Sequence, residues 1–304
     1  MTGWTLICLG AVLVLAPALP GVAAKTKAWL TGRRGAPALQ LYWDLGRLLG
    51  KGAVYSATTT WMFRLAPVTG VVTPLLAACL LPLDGHAAVL SFSGDFVAFA
   101  ALVALGRFTL ILAALDTGSS FEGMGASRDA TFGSLVEPAL FLSFVVLALG
   151  TCSLSLGGML SVGPASTWGT AAPSLAMVAV SLFFVLLAEA SRVPVDDPAT
   201  HLELTMIHEV AVLDYSGPDL ALLLYGSALR MGLFAALPVG VLVSRASLAA
   251  PLALGVLVTG SLVVAVAVGV VESIMARLRL SRVPQFLVAA SVLASLGVIL
   301  QLLG

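Results

Sequence analysis

The residues best suited to chemistry gather in one stretch, EASRVPVDDPATHLELTMIHEVAVLDYSG, from Glu189 to Gly217. It holds six of the chain's fifteen carboxylates (Glu189, Asp196, Asp197, Glu203, Glu209 and Asp214), with His201, His208 and one cation, Arg192. A seventh acid, Glu137, lies upstream among apolar neighbours. Carboxylates closely spaced beside hydrophobic sequence are suited to proton transfer. Each exchanges a proton with the next through water, once burial and like-charge neighbours bring its pKa toward neutral. The same residues offer little else. His201 and His208 are seven apart and share a helix face, whereas a zinc protease pattern needs two histidines four apart beside a glutamate. No nucleophile elbow, phosphate loop or Ser/His/Asp pattern is present. Cys8, Cys79 and Cys152 each stand alone, with no paired spacing for zinc or an iron–sulfur cluster, and read as buried structural thiols.

The elements that must position these acids cross a membrane. The chain has 304 residues, 60% of them apolar and only 10% charged, and a mean hydropathy of +1.08. A soluble domain carries roughly 25% charged residues. The apolar runs are continuous and about 20 residues long, which predicts an all-α polytopic protein rather than a β-barrel with its alternating short strands. Eight spans are expected, at about 4–24, 66–82, 96–115, 131–150, 171–190, 219–242, 249–271 and 284–303. The first follows no basic segment, and Lys25 and Lys27 come after it, so it reads as a retained helix and not a signal peptide. The formal net charge of zero and the lack of a basic arm give no sign of a nucleic-acid partner.

Twelve of the fifteen cations fall on one side of this arrangement, among them Arg33, Arg34, Arg47, Lys51, Arg128 and Arg192. Arg107 and Arg230 lie inside spans. The positive-inside rule then makes the charged loops cytoplasmic and both termini external. One integral membrane domain, 1–304, is expected, with two long cytoplasmic segments, 25–65 and 191–218. In the first, Leu39, Tyr42, Trp43, Leu45 and Leu49 predict an amphipathic interfacial helix. In the second, Asp197-Pro198 predicts the start of a helix reaching about residue 213. Glu137 should lie about 9 Å below the cytoplasmic end of the fourth span. Glu189 should lie at the end of the fifth. Charges in hydrocarbon cost about 2.5–3.5 kcal/mol on insertion scales and mark functional paths. The expected ion path comprises Glu137, Glu189, Glu203, Asp196, Asp197, Glu209 and Asp214, with Arg128, Arg192, Arg107 and Arg230 as supporting charges.

The segment AEASRVPVDDPATHLELTMIHE, from Ala188, resembles the membrane-anchor subunit of group 4 membrane-bound NiFe hydrogenases, of the formate hydrogenlyase subunit 4 type. That family is similar to the membrane subunit of NADH–quinone oxidoreductase that corresponds to subunit 1 of mitochondrial complex I. The form A-E-x-x-R-x-P-x-D is common to both. The continuation D-P-A-T-H-L-E-L-T-M-I-H-E resembles the hydrogenase branch. Arg33-Arg34-Gly35 with Leu39-Gln40 and Asp44 resembles the loop and amphipathic helix after the first span. Ser127-Arg128 with Glu137 resembles the arginine–glutamate pair of the fourth, and Asp214-Tyr215-Ser216-Gly217 the entry to the sixth. Two positions depart. Lys51-Gly52 stands where the family often has Lys-Glu, and Ala199 and Thr200 replace a more glutamate-rich loop, which weighs against a complex I type quinone site.

The resemblance implies a coupling and anchoring subunit of a redox-driven ion pump. No cofactor is expected in this chain. The NiFe centre and iron–sulfur clusters would belong to peripheral hydrogenase large and small subunits and iron–sulfur subunits, with antiporter-like subunits beside it in a bacterial or archaeal cytoplasmic membrane. Docking would use Arg33, Arg34, Arg47, Lys51, His201 and His208. An alternative reading makes the chain a quinone-channel subunit. A stand-alone transporter would ask for inverted repeats and broken helices, which the sequence does not display.

Overall fold

The computed structural model describes residues 3–85, 88–161, 168–196, 206–243 and 248–303. Eleven α-helices and two short 3-10 turns account for nearly all ordered elements, and no strand occurs among the described residues. In chain order they are α1 Gly3–Leu15, α2 Ala18–Leu30, α3 Gln40–Leu49, α4 Trp61–Leu80, α5 Asp95–Asp116 and α6 Ser120–Thr151. There follow α7 Leu156–Ser161, α8 Trp168–Glu189, α9 Gly217–Leu242, α10 Ala250–Ile274 and α11 Val283–Leu303. Seven helices are long and apolar enough to cross a membrane, or eight with α1 and α2 taken as one bent span. A helical span is the natural solution in hydrocarbon, because it satisfies its own backbone hydrogen bonds.

The boundaries differ from the expected ones where proline and capping decide them. The first span is not continuous. It bends by 43° between α1 and α2, where Pro17 and Pro20 each lack a backbone donor. The fourth expected span, 131–150, is the end of a longer helix. α6 runs for 32 residues, about 48 Å, so Arg128 and Glu137 lie on one rod. The expected amphipathic helix is present as α3. It packs on α2 and α9 through its partly buried face, Leu41 and Tyr42 among it, while Trp43 and Leu49 of the helix and Leu39 just before it are exposed. Cys152 departs from the expectation of buried thiols. It ends α6 in the left-handed region with its side chain exposed.

α9 is the most buried span and packs on α4, α8 and α10, while α10 and α11 lie at the periphery. Close approach uses small residues, since lipid provides no hydrophobic drive between helices. A β-carbon on Gly226 of α9 would come within 2.2 Å of the Gly70 carbonyl oxygen of α4. Phe99, Phe144 and Phe234 join α5, α6 and α9 edge to face, with centroids 6.1 and 6.0 Å apart. Such pairs add about 0.5–1.5 kcal/mol each beyond their burial. Asp116, at the last residue of α5, accepts hydrogen bonds from the Thr60 backbone N–H (2.6 Å) and hydroxyl (2.9 Å) where α4 begins.

Candidate functional site

Five charged side chains from four helices meet between the bundle and the 191–216 connection. Arg107 projects from α5, Asp129 and Glu137 from α6, Glu189 from the last residue of α8, and Arg230 from α9. Arg107 is the hub. Its Nη2 donates to Glu189 Oε1, and its Nη1 lies 3.6 Å from Glu137 Oε1. Arg107, Glu189 and Arg230 are buried, and Glu137 is half-exposed. Asp129 interacts electrostatically with both Arg107 and Arg230. The backbone makes room for this arrangement. A β-carbon on Gly133 would sit 2.2 Å from Arg107 Nη1, so α6 needs its glycine there for the guanidinium to pass. The side chains enclose a cavity of about 20 Å³, lined also by Ser191, Asp196, Ile207 and His208. That volume holds about one water. Ser191 takes a left-handed φ of 49°, a strained turn that carries the chain off α8 and over the cavity.

One carboxylate ties the two described parts of the connection together. Asp196 Oδ2 accepts from the backbone N–H groups of Ile207 (3.0 Å) and His208 (3.1 Å), and Oδ1 from Arg277 (2.9 Å). This corrects one expectation. N–H groups bound to Asp196 are not available for i to i−4 bonds, so no helix runs through 207–208. The described part of the expected 198–213 helix is only a 3-10 turn, Glu209–Val212. Asp196 is buried, paired with Arg277, and lines the cavity.

The remaining expected site residues divide clearly. Asp197, His201 and Glu203 lie outside the described residues. His208 lines the cavity rather than an outward docking face. Burial, then the nearby Arg230 guanidinium, push its imidazole down from the ordinary histidine value to about 4. Glu209 lines a second cavity, and Asp214 is exposed, its N–H donating to Glu122 Oε1 (3.0 Å). Arg128 does not pair with Glu137; it donates to the Met206 carbonyl oxygen (2.9 Å). Arg192 lies 3.4 Å from Glu272, which also sits 3.7 Å from Lys27. Arg33, Arg34, Arg47 and Lys51 are exposed, and Arg47 lies 3.1 Å from Asp44. Asp129, Glu122 and Glu272 are additions that the sequence reading does not contain. The spacing Asp129, Gly133, Glu137 puts one face of α6 toward the cavity and is the available signal for Asp129.

The second cavity, about 280 Å³, lies between α2, α3, α9 and the connection. Its wall is mostly apolar, including Pro20, Leu41 and Leu224, with Arg192, His208 and Glu209 at one side. Among the described residues, no three His, Cys, Asp or Glu side chains converge as a metal site.

Known proteins are similar to this chain. The NADH dehydrogenase family model matches residues 3–303. Hydrogenase-4 component C of Escherichia coli (strain K12) is 35% identical over 227 residues, covering 74% of this chain and 70% of that protein. Formate hydrogenlyase subunit 4 of the same strain is 31% identical over 284 residues, 90% of each. A chain of the membrane-bound sulfane sulfur reductase, an archaeal respiratory membrane complex, superposes with a TM-score of 0.82 over 98% of both chains. At 20% identity that likeness speaks for the fold.

Proposed function

The chain belongs to the NADH dehydrogenase family, and from that premise we propose that it is the membrane subunit of a complex I-like, group 4 hydrogenase-type complex. It anchors a peripheral redox module and couples that module's electron transfer to proton or sodium movement. The observation that carries this reading is the group of Arg107, Asp129, Glu189 and Arg230 around a water-sized cavity, with half-exposed Glu137 3.6 Å from Arg107. Carboxylates held inside a membrane protein beside arginines can exchange protons while the fold keeps their charges compensated. The chain is one integral membrane domain in a bacterial or archaeal cytoplasmic membrane, with both termini external. Exposed Arg33, Arg34, Arg47 and Lys51 meet the hydrogenase large and small subunits and iron–sulfur subunits, which hold the NiFe centre and clusters. Antiporter-like subunits continue the ion path in the bilayer.

The test uses the purified complex in proteoliposomes. Glu137→Gln and Glu189→Gln keep shape and remove titration, so each should assemble and lose at least tenfold in ion uptake. Asp219→Asn, outside the cluster, should match the parent. Uptake at the parent rate in both Glu variants would make the carboxylates structural.

The 280 Å³ cavity favours a second reading, a quinone-channel subunit. Its apolar wall suits a prenyl chain, and Arg192, His208 and Glu209 could hydrogen-bond a head group. Solvent extraction of the purified complex decides: stoichiometric quinone supports this reading, and none supports the first.

A further inference from the structure

The cluster's charges do not balance. Two guanidiniums, Arg107 from α5 and Arg230 from α9, face three carboxylates, Asp129 and Glu137 from α6 and Glu189 from α8. Among the described residues, the connection adds no cation to the cavity wall. Its Asp196 is taken by Arg277, and His208 stays neutral near pH 7. One negative charge is therefore in excess, and of the three carboxylates only Glu137 reaches solvent, so inside the cavity Asp129 and Glu189 depend on the two guanidiniums and on hydrogen bonds. The surplus is also visible in the hydrogen bonds. Asp129 Oδ2 and Glu189 Oε2 are buried and have no hydrogen-bond partner among the described residues. Glu189 is held from its other oxygen by Arg107, with its side chain only 3% exposed. Both residues line the same 20 Å³ cavity. A single proton answers both problems. It cancels the excess charge and turns one acceptor-only carboxylate into a donor.

Resting on the coupling reading, we propose that Asp129 and Glu189 share one proton through a single water in this cavity and form the loading site of the path. The proton arrives from water on the side of the connection, becomes the O–H of one carboxyl, and leaves to Glu137 or back to water. No bond other than O–H forms or breaks. Asp129 takes part because it lies one turn before Gly133, where α6 is open to Arg107, and two turns before Glu137 on the same face. Glu137 keeps nearly half its side chain in solvent and Asp196 is held by Arg277, so the proton retained inside the cavity resides on this pair.

The experiment is infrared spectroscopy of the purified complex in H2O and D2O. At neutral pH the parent should show one buried protonated-carboxyl C=O band that shifts in D2O and disappears at high pH. Asp129→Asn leaves two cations and two anions, so its spectrum should lack that band, and Asp129→Glu should restore it. Should Asp129→Asn fail to assemble, Glu137→Gln makes the same charge change and should also remove the band. Persistence of the band in Asp129→Asn or in Glu137→Gln overturns the proposal. So does its loss on adding Na⁺ to the parent, which would make the cavity a cation site. Parent-rate ion uptake by an Asp129→Asn complex without the band would leave the shared proton standing and sink the coupling reading instead.

Discussion

Neutralising a carboxylate of the cluster and neutralising a guanidinium are opposite operations. Glu189→Gln leaves two cations facing two anions, and the fold loses one charge-assisted bond at Arg107. Arg107→Gln leaves one cation among three carboxylates, with Glu189 buried and stripped of its donor. Breaking a buried pair from that side costs about 3–5 kcal/mol. Arg107→Gln should therefore lower thermal stability in detergent far more than Glu189→Gln, and equal losses would contradict the charge count. Gly133→Ala should resemble Arg107→Gln, because its methyl group takes the space of the guanidinium. His208 sets a pH dependence of its own. Its folded pKa of about 4 lies below the ordinary 6.5. Below pH 6.5 the unfolded chain binds a proton that the folded chain refuses. The contribution is present above 6.5 and lost as pH falls toward 4. Melting temperature followed over that window should fall less steeply in His208→Gln than in the parent.

At the scale of elements, α6 and the connection hold each other. Arg128 donates to Met206 O, Glu122 accepts from Asp214 N, and a β-carbon on Gly125 would lie 3.1 Å from Ala211 N. Removing Arg128 deletes a charge-assisted bond worth about 1.5–3 kcal/mol. Arg128→Ala should raise amide exchange across 206–216 while leaving α9 protected, and unchanged exchange would show that the bond is dispensable. This pairing also explains what the sequence conceals. The first turns of α6 are polar and rich in glycine, so they read as a loop; their face is covered by a segment far along the chain. Asp129 is overshadowed by the adjacent Arg128, which draws attention as its natural partner yet points toward Met206. The helix expected after Asp197 does not reach 207–208, because Asp196, eleven residues back, takes the N–H groups of Ile207 and His208. The spans and α3 are legible because long apolar runs and a single amphipathic stripe depend only on local spacing. The family resemblance is legible for the same reason: it rests on contiguous motifs such as A-E-x-x-R-x-P-x-D. Convergence of Arg107, Asp129, Glu189 and Arg230 depends on helix packing, and only the fold supplies it.

The whole molecule is asymmetric. Peripheral α10 and α11 expose Val263, Leu302 and Leu303, as lipid-facing helices should, whereas Arg33, Arg34 and Lys51 stand exposed near the α2–α3 connection and the turn after α3. That connection is well founded. α2 is tied to α10 by Lys27 and Glu272 at 3.7 Å, and a β-carbon on Gly269 would lie 2.5 Å from the Ala23 carbonyl oxygen. Charge reversal at Arg33 and Arg34 therefore acts on a surface held in place by contacts it does not touch, so the chain stays folded and inserted. Under the docking reading it places two anions where a partner meets two cations. Such an exposed contact is screened over about 8 Å at physiological salt, so the effect depends on ionic strength. Arg47 is partly engaged by Asp44 at 3.1 Å and should matter less. The expected result for Arg33→Glu with Arg34→Glu is release of the peripheral subunits at a salt concentration the parent complex withstands, with the chain still in the membrane fraction. Size-exclusion chromatography of the solubilised complex across a salt series reads this directly. Co-elution of all subunits over the same salt range as the parent would remove the arginines, and with them the α2–α3 connection, from the docking surface.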